Sequence, residues 1–127
     1  MQLTHFIETN FLNLKNQGYI KLIGSSSLKE EFESLSAYLF THGVIAKGLT
    51  IYSKSLGLSN ISSHQLQSLI NFCLTDIKTA SCAIAVTKNG RLSEATTSEI
   101  NFALDLNIPV FIYRKISDSL EQQFELS

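Results

Sequence analysis

The sequence predicts a doubly wound α/β sandwich with a parallel sheet of four or five strands. Short apolar runs alternate with helical patterns along the chain, and turns rich in glycine or serine separate them. The run Cys82 to Thr87 is apolar without alternation, as expected of a central strand that is buried on both faces. In such sheets ligands bind beyond the carboxyl ends of the strands, so we expect the site at the turns that follow them.

The first element is an N-terminal helix. Apolar residues recur at three- and four-residue steps between Gln2 and Asn16, and Gly18 stands where a left-handed residue can end a helix. Residues 1–17 therefore form a helical addition to the core, within a single domain of 127 residues. We expect the apolar face of this helix to pack within the chain, with a second subunit as the alternative.

A glycine- and serine-rich turn follows the first predicted strand, the apolar run Tyr19 to Ile23 with its one lysine. Such a turn directs backbone N–H groups and hydroxyls at a ligand over the next helix, commonly a phosphate or a carboxylate. The candidate substrate-binding residues here are Gly24, Ser25, Ser26 and Ser27. The alternative is structural, because Ser27 and Glu30 have the spacing of a capping box.

Two further helices are expected from four-residue spacing. Leu28, Phe32, Leu35 and Leu39 form an apolar stripe on a helix from Leu28 to His42, whose charged residues, Glu31 among them, should face water. At the C-terminus, Ile116, Leu120 and Phe124 predict a weaker helix between Lys115 and Ser127.

The middle of the chain holds a second predicted strand, Val44 to Tyr52, interrupted by a lysine and a glycine. The polar loop Ser53 to Ser62 follows it and is long enough to cover a pocket. Tyr52, at the root of this loop, could stack on a base or a sugar, and the alternative is a half-buried strand tyrosine.

Asp76 is out of place on the next predicted helix, Ser63 to Lys78. It lies on the buried stripe with Leu69 and Cys73, at the helix C-terminus, where the macrodipole disfavours an anion. A carboxylate there requires a partner or a ligand, unless it is solvated at a frayed helix end. Both interpretations stand on sequence alone.

The segment Arg91 to Tyr113 is read as a turn, an amphipathic helix and a strand entered through Pro109. Ala95, Glu99 and Ala103 share one stripe of the helix, which holds a carboxylate at the edge of a close-packed face. Near a helix start the macrodipole favours the ionised form, so Glu99 is a candidate nucleophile. The structural alternative is a capping box from Thr96 to Glu99.

Composition limits the partners. The formal net charge of -1 gives no basic surface for a long nucleic acid. The two cysteines fall at predicted core positions, which suits reduced thiols and a cytosolic protein. Because the sequence contains neither a membrane-length apolar run nor a signal-peptide pattern, we expect no membrane association. Its motifs predict neither a metal site nor a cofactor.

The chain resembles the nucleoside 2-deoxyribosyltransferase-like superfamily, especially its small bacterial and phage members, in three segments: GYIKLIGSSSLKEEF, LFTHGVIA and LTDIKTASCAIAVTKNGRLSEATTSEINFALDLNIPVFIY. In those members the first strand ends in a Gly-Ser-Thr turn and a later helix begins with Ser-Thr-x-x-Glu-Ile. The likeness covers Gly18 to Tyr113. It implies a flavodoxin-like sheet, a dimer or larger oligomer, and Glu99 as the nucleophile that attacks the anomeric carbon of a nucleoside or nucleotide.

The chain also departs from the superfamily pattern. The transferases have carboxylates that hold the base at the positions of Cys73 and Ser93, and a tyrosine that orients the nucleophile at the position of Leu22. The expected function is therefore cleavage of the N-glycosidic bond of a nucleoside monophosphate or related small nucleotide. A non-catalytic nucleotide-binding or sensing module is the alternative.

In the enzymatic interpretation Glu99 attacks or stabilises the oxocarbenium-like centre, as a glycosidase carboxylate does. Asp76 or Glu94 assists proton transfer to the leaving base. The remaining substrate-binding candidates follow predicted strands or begin the later helix: Tyr52, Gly90, Ser93 and Thr96.

Overall fold

The computed structural model describes residues 5, 7–10, 18–25, 27–48, 62–88, 91–115 and 123–126. Residues 5 and 7–10 are helical. The elements that follow are β1 (Ile20–Ile23), α1 (Lys29–Thr41), β2 (Ala46–Lys47), α2 (Ser63–Lys78), β3 (Cys82–Lys88), α3 (Glu94–Asp105), β4 (Val110–Lys115) and β5 (Gln123–Leu126).

The sheet has the strand order β2-β1-β3-β4-β5. The first four strands are parallel, with Ile20 of β1 beside Cys82 of β3 and Ala83 of β3 beside Val110 of β4. This order is that of flavodoxin-like α/β folds, so the predicted fold class is confirmed. The chain leaves β1 toward one edge of the sheet and β3 toward the other, which opens a crevice between the carboxyl ends of these two strands.

Apolar cores lie on both faces of the sheet, as a doubly wound fold requires. On one face α1 contributes Phe32, Leu35 and Leu39, which cluster with Ile20 and Leu22 of β1. On the other face Ile77 of α2 and Ile100 and Ala103 of α3 cluster with Ile23, Ala83, Ala85 and Val110. Because side chains alternate along a strand, Lys21 points to the same face as Ile23, toward α2 and α3.

The N-terminal helical residues pack within the chain. Ile7 is buried in the cluster that α1 forms with the sheet. This agrees with the expected intramolecular packing, although the other residues of the predicted helix lie outside those described, apart from His5 and residues 8–10. The predicted loop Ser53 to Ser62 also lies outside the described residues, except for Ser62, which caps α2 together with Gln65.

Two predictions about α1 are wrong. The helix begins after Leu28, which makes no side-chain capping bond, so Ser27 and Glu30 form no capping box. The Ser27 hydroxyl instead lies 2.9 Å from the Ser25 hydroxyl, within the turn. Glu31 was expected in water but is buried, because it lies on the sheet side of the helix, beside Phe32.

The predicted C-terminal helix is wrong over residues 123–126, whereas the four parallel strands agree with the predicted parallel sheet. Residues 123–126 form β5, which pairs antiparallel with β4 and sets Phe124 beside Tyr113. The four-residue step from Leu120 to Phe124 fits a helix, but the alternation of Phe124 and Leu126 fits a strand. The edge of β4 supplies hydrogen-bond partners for such a strand, and this tertiary pairing decides the outcome.

Within the part of the chain that the structure describes, no helix combines the length and the apolar character needed to cross a membrane.

Candidate functional site

A pocket of about 260 Å³ lies in the crevice between the carboxyl ends of β1 and β3. Its walls come from the turn after β1, the end of β3 and the start of α3, and they comprise Ser25, Leu28, Val86, Arg91, Leu92, Ser93 and Thr96. Val86 belongs to the core on the α1 side of the sheet and Leu92 packs on the opposite core. The pocket therefore spans both layers at the point where ligands bind in this class of fold.

Hydroxyl groups form the polar part of the pocket. Ser93 caps α3, and its Oγ accepts a hydrogen bond from the Thr96 backbone N–H at 3.2 Å. The same Oγ lies 2.9 Å from the Thr96 hydroxyl. Ser25 faces this pair from the turn after β1, and the exposed Arg91 adds a cation at the wall. Hydroxyls and a guanidinium beside apolar side chains can hold a sugar phosphate and cover one face of a base.

Gly24 allows β1 and β3 to approach each other at the floor of this crevice. Its φ is +155°, and a Cβ placed on it would lie 2.8 Å from the Val86 carbonyl oxygen. We expect Gly24→Ala to lower the free energy of unfolding by about 2 kcal/mol, because backbone must shift to admit the methyl group. Urea denaturation checks this, with Ala37→Gly on the exposed side of α1 as a comparison. An unchanged midpoint for Gly24→Ala would contradict the close approach.

Glu99 is not a capping residue. Ser93 caps α3 and Glu94 opens its first turn, which places Glu99 in the second turn. The capping box expected from Thr96 to Glu99 is therefore wrong, since Ser93 provides the cap three residues earlier. The macrodipole argument weakens for the same reason, because its effect is confined to the first turn.

Burial dominates the environment of Glu99. The side chain is 8% exposed, and its Oε2 atom has no hydrogen-bond partner among the described residues. Loss of water raises the pKa of Glu99 to about 7, while the Lys21 ammonium acts in the opposite direction. A buried carboxyl group with an unused oxygen, one helical turn from the pocket residue Thr96, is typical of a functional group.

Asp76 has the partner that its position requires. The Lys21 Nζ lies 3.6 Å from Asp76 Oδ2 and donates a hydrogen bond to the Gly48 carbonyl at 2.9 Å. Asp76 therefore has a charged partner and is not merely solvated at a frayed helix end. Asp76 does not line the pocket. The helix α2 runs antiparallel to the strands, so its C-terminus lies at their amino ends, whereas the pocket lies at their carboxyl ends.

Lys21 is the functional candidate that the sequence interpretation missed. In the sequence it is the single lysine of the apolar run Tyr19 to Ile23, yet it is 1% exposed. The signal was its position between Ile20 and Leu22, which predicts by alternation that its side chain enters the opposite core. Leu22, where the superfamily has an orienting tyrosine, lies in the core on the α1 side, away from Glu99.

Cys73 is a buried residue of α2. Burial raises the pKa of its thiol most, Lys21 lowers it, and Glu99 and Asp76 raise it further. The thiol is therefore neutral at physiological pH. Cys82 is a core residue in which burial raises the pKa to about 12. Both cysteines are free and buried, as expected.

The other predicted site residues are scattered or lie outside the description. Glu94 is exposed at the start of α3 and does not line the pocket. Ser27 is exposed and contacts Ser25. Ser26, Tyr52 and Gly90 lie outside the described residues. Among the residues that are described, no cluster of three or more His, Cys, Asp or Glu side chains could hold a metal ion.

Searches with protein-family models and against curated proteins find no match to this chain.

Proposed function

We propose that the protein is an N-glycosidase-type enzyme that cleaves the N-glycosidic bond of a nucleoside monophosphate or a related small nucleotide. The observation that carries this proposal is the buried carboxyl group of Glu99, whose Oε2 is unpartnered among the described residues. It stands one turn after Thr96, a pocket-lining residue that is itself 3% exposed. The likeness to the deoxyribosyltransferase-like superfamily at this helix points to the same residue.

The proposed reaction begins with attack of the Glu99 carboxylate on the anomeric carbon of the sugar. The bond from that carbon to the base nitrogen breaks, and the base leaves with the bonding electrons and takes up a proton. Water then hydrolyses the glycosyl ester and restores Glu99. Neither of the two carboxyl groups predicted to assist the leaving base, Asp76 and Glu94, lines the pocket, so in this proposal the base takes its proton from solvent water.

The pocket supports a small ligand. Its volume of about 260 Å³ lies just below the range for small-molecule sites, roughly 300 to 1,000 Å³. In the proposal Ser25, Ser93 and Thr96 bind sugar or phosphate oxygens, and Arg91 neutralises phosphate charge. The apolar walls at Leu28, Val86 and Leu92 cover the sugar or the base.

The test is base release by the purified full-length chain from a panel of ribo- and deoxyribonucleoside monophosphates, with the matching nucleosides in parallel. We expect release from at least one monophosphate, and slower release from its nucleoside. A thermal-shift screen on the same panel finds the ligand, since a ligand at a hundred times its Kd stabilises by about 2.7 kcal/mol. No release from any member, with Glu99→Ala indistinguishable from wild type, would contradict the enzymatic proposal.

A non-catalytic nucleotide-binding module is the second candidate. The observation in its favour is that hydroxyls, one guanidinium and apolar groups line the pocket, and that Glu99 is not among the residues that line it. Calorimetry separates the two candidates. Nucleotide binding with no base release over a long incubation would support this module, and any release that depends on Glu99 would exclude it.

A further inference from the structure

The helix α2 differs from the other two helices in the charge of its solvent-facing side. From Ser63 to Thr75 the sequence contains no Asp, Glu, Lys or Arg. By contrast, α1 exposes Glu30 and Glu33, and α3 exposes Glu94 and Asp105. The solvent-facing side of a surface helix normally carries charged groups, whereas depletion of charged residues marks the centre of a protein interface. The composition of α2 therefore indicates a contact surface.

An aromatic ring stands on this uncharged side. The Phe72 side chain is 56% exposed, and it shares a stripe of α2 with the exposed residues Ser68, Asn71 and Thr75. A single exposed ring is common on protein surfaces. Phe72 gains its significance from the uncharged stripe around it and from the groove that adjoins this stripe.

The groove lies between α2 and α3 and has a volume of about 260 Å³. It is lined by Asn71, Leu74, Thr75, Lys78 and Phe102. Leu74 and Phe102 pack on the core beneath them, and Lys78 forms no ion pair with the residues that the structure describes. An aromatic ring fits such a lining, because it packs edge-to-face on another ring and attracts a cation to its face.

We propose that this side of α2, together with the groove, is a docking surface for a second copy of the chain, in which Phe72 of each copy enters the groove of the other. A second copy is the occupant because one patch carries both the ring and the groove that fits it, as an isologous two-fold contact requires. Charge complementarity supports the same occupant. Two copies of an uncharged stripe meet without like-charge repulsion, and the Lys78 ammonium of each groove meets the π face of the incoming ring.

The contact is small, which sets the strength of the dimer. The helix α2 has 16 residues and is therefore about 24 Å long. A contact built around one such helix belongs with the small, reversible interfaces, so we expect a dissociation constant roughly in the micromolar range. Sedimentation equilibrium of the purified full-length chain, over a concentration series that spans this range, should show monomer and dimer in exchange.

Phe72→Ala should raise the dissociation constant of the dimer by about thirtyfold or more, because each dimer buries two copies of the ring. The ring is more than half exposed, so the urea midpoint of the monomer should stay close to that of wild type. Phe40→Ala is the matched control. It removes a ring that is 73% exposed on α1, in the opposite layer of the fold, and it should leave the dissociation constant unchanged.

A pair of charged variants tests the two-fold arrangement and covers the case in which Phe72→Ala does not fold. When each ring enters the other copy's groove, the two-fold axis passes midway between ring and groove, which places Thr75 beside its counterpart. Thr75→Glu should be monomeric because like charges then face each other, and Thr75→Lys should be monomeric for the same reason. An equimolar mixture of the two variants should restore a dimer.

A wild-type chain that stays monomeric throughout the concentration series would overturn the proposal. A dimer that neither Phe72→Ala nor Thr75→Glu weakens would overturn it as well, and so would a dimer that Phe40→Ala weakens. Absence of a dimer in the mixture of charged variants would exclude the two-fold contact. These measurements use no substrate, so failure of the proposed function alone would appear as an intact dimer that releases no base.

Discussion

Replacing Glu99 by glutamine is expected to abolish base release, with kcat/KM reduced by about a thousandfold or more at every pH. The amide has nearly the same shape as the protonated carboxyl group but cannot attack the anomeric carbon, so the loss should be in the chemical step. For the wild-type enzyme we expect release to increase as pH rises through about 7, because burial raises the pKa of Glu99 to that value and only the carboxylate is a nucleophile.

The matched control is Asp105→Asn, which makes the same chemical change at the exposed last residue of α3. Its kinetics should equal those of wild type. Base release by Glu99→Gln at more than about a tenth of the wild-type rate would remove Glu99 as nucleophile. Since α3 is capped by Ser93 and not by Glu99, a residual rate could not be attributed to a preserved cap.

The second large effect is on stability. The same substitution, Glu99→Gln, is expected to make the folded protein more stable. Above pH 8 we expect Glu99→Gln to be more stable than wild type by about 3 kcal/mol, with the difference close to zero at pH 4. Burial raises the pKa of Glu99 in the native state from 4.5 to about 7. Between these values the native carboxyl group keeps a proton that the unfolded chain has lost, so wild-type stability falls as pH rises through this window.

Glutamine carries no charge at any pH and escapes this penalty. Urea denaturation of both proteins at pH 4, 6 and 8 measures the difference, and Asp105→Asn again serves as control because its side chain is exposed. A Gln variant that is less stable at pH 8 would show that the Glu99 carboxylate is structurally required. That outcome would contradict both the raised pKa and the view that this charge is maintained at a cost to folding.

Much of the fold could be predicted because its signals are local. The bounds of α2, from Ser63 to Lys78, follow from the spacing of apolar residues, and the uniformly apolar run from Cys82 identifies the central strand. The C-terminal strand could not be predicted in this way. Its pairing with β4 depends on an edge that exists only once the sheet has formed, and a four-residue segment carries too little pattern to oppose a helical spacing.

The candidate site was predicted in part for the same reason. Ser25, Ser93 and Thr96 converge on one pocket because parallel strands place their following turns at one edge of the sheet. Asp76 and Lys21 come from elements that are distant in sequence, and their pairing requires the side-chain direction of β1 and the packing angle of α2. Spacing on a single helix can show that Asp76 needs a partner, but it cannot name Lys21.

The antiparallel strand β5 also bears on the solubility of the protein. An open parallel sheet has two borders whose unpaired N–H and C=O groups can recruit the strands of other molecules. Here β5 covers the side of β4 that would otherwise form one border, and at the other border β2 comprises two residues. Residues 123–126 thus shield the long strand β4, and within the described residues the two border strands, β2 and β5, comprise two and four residues, which offers little backbone for intermolecular strand addition.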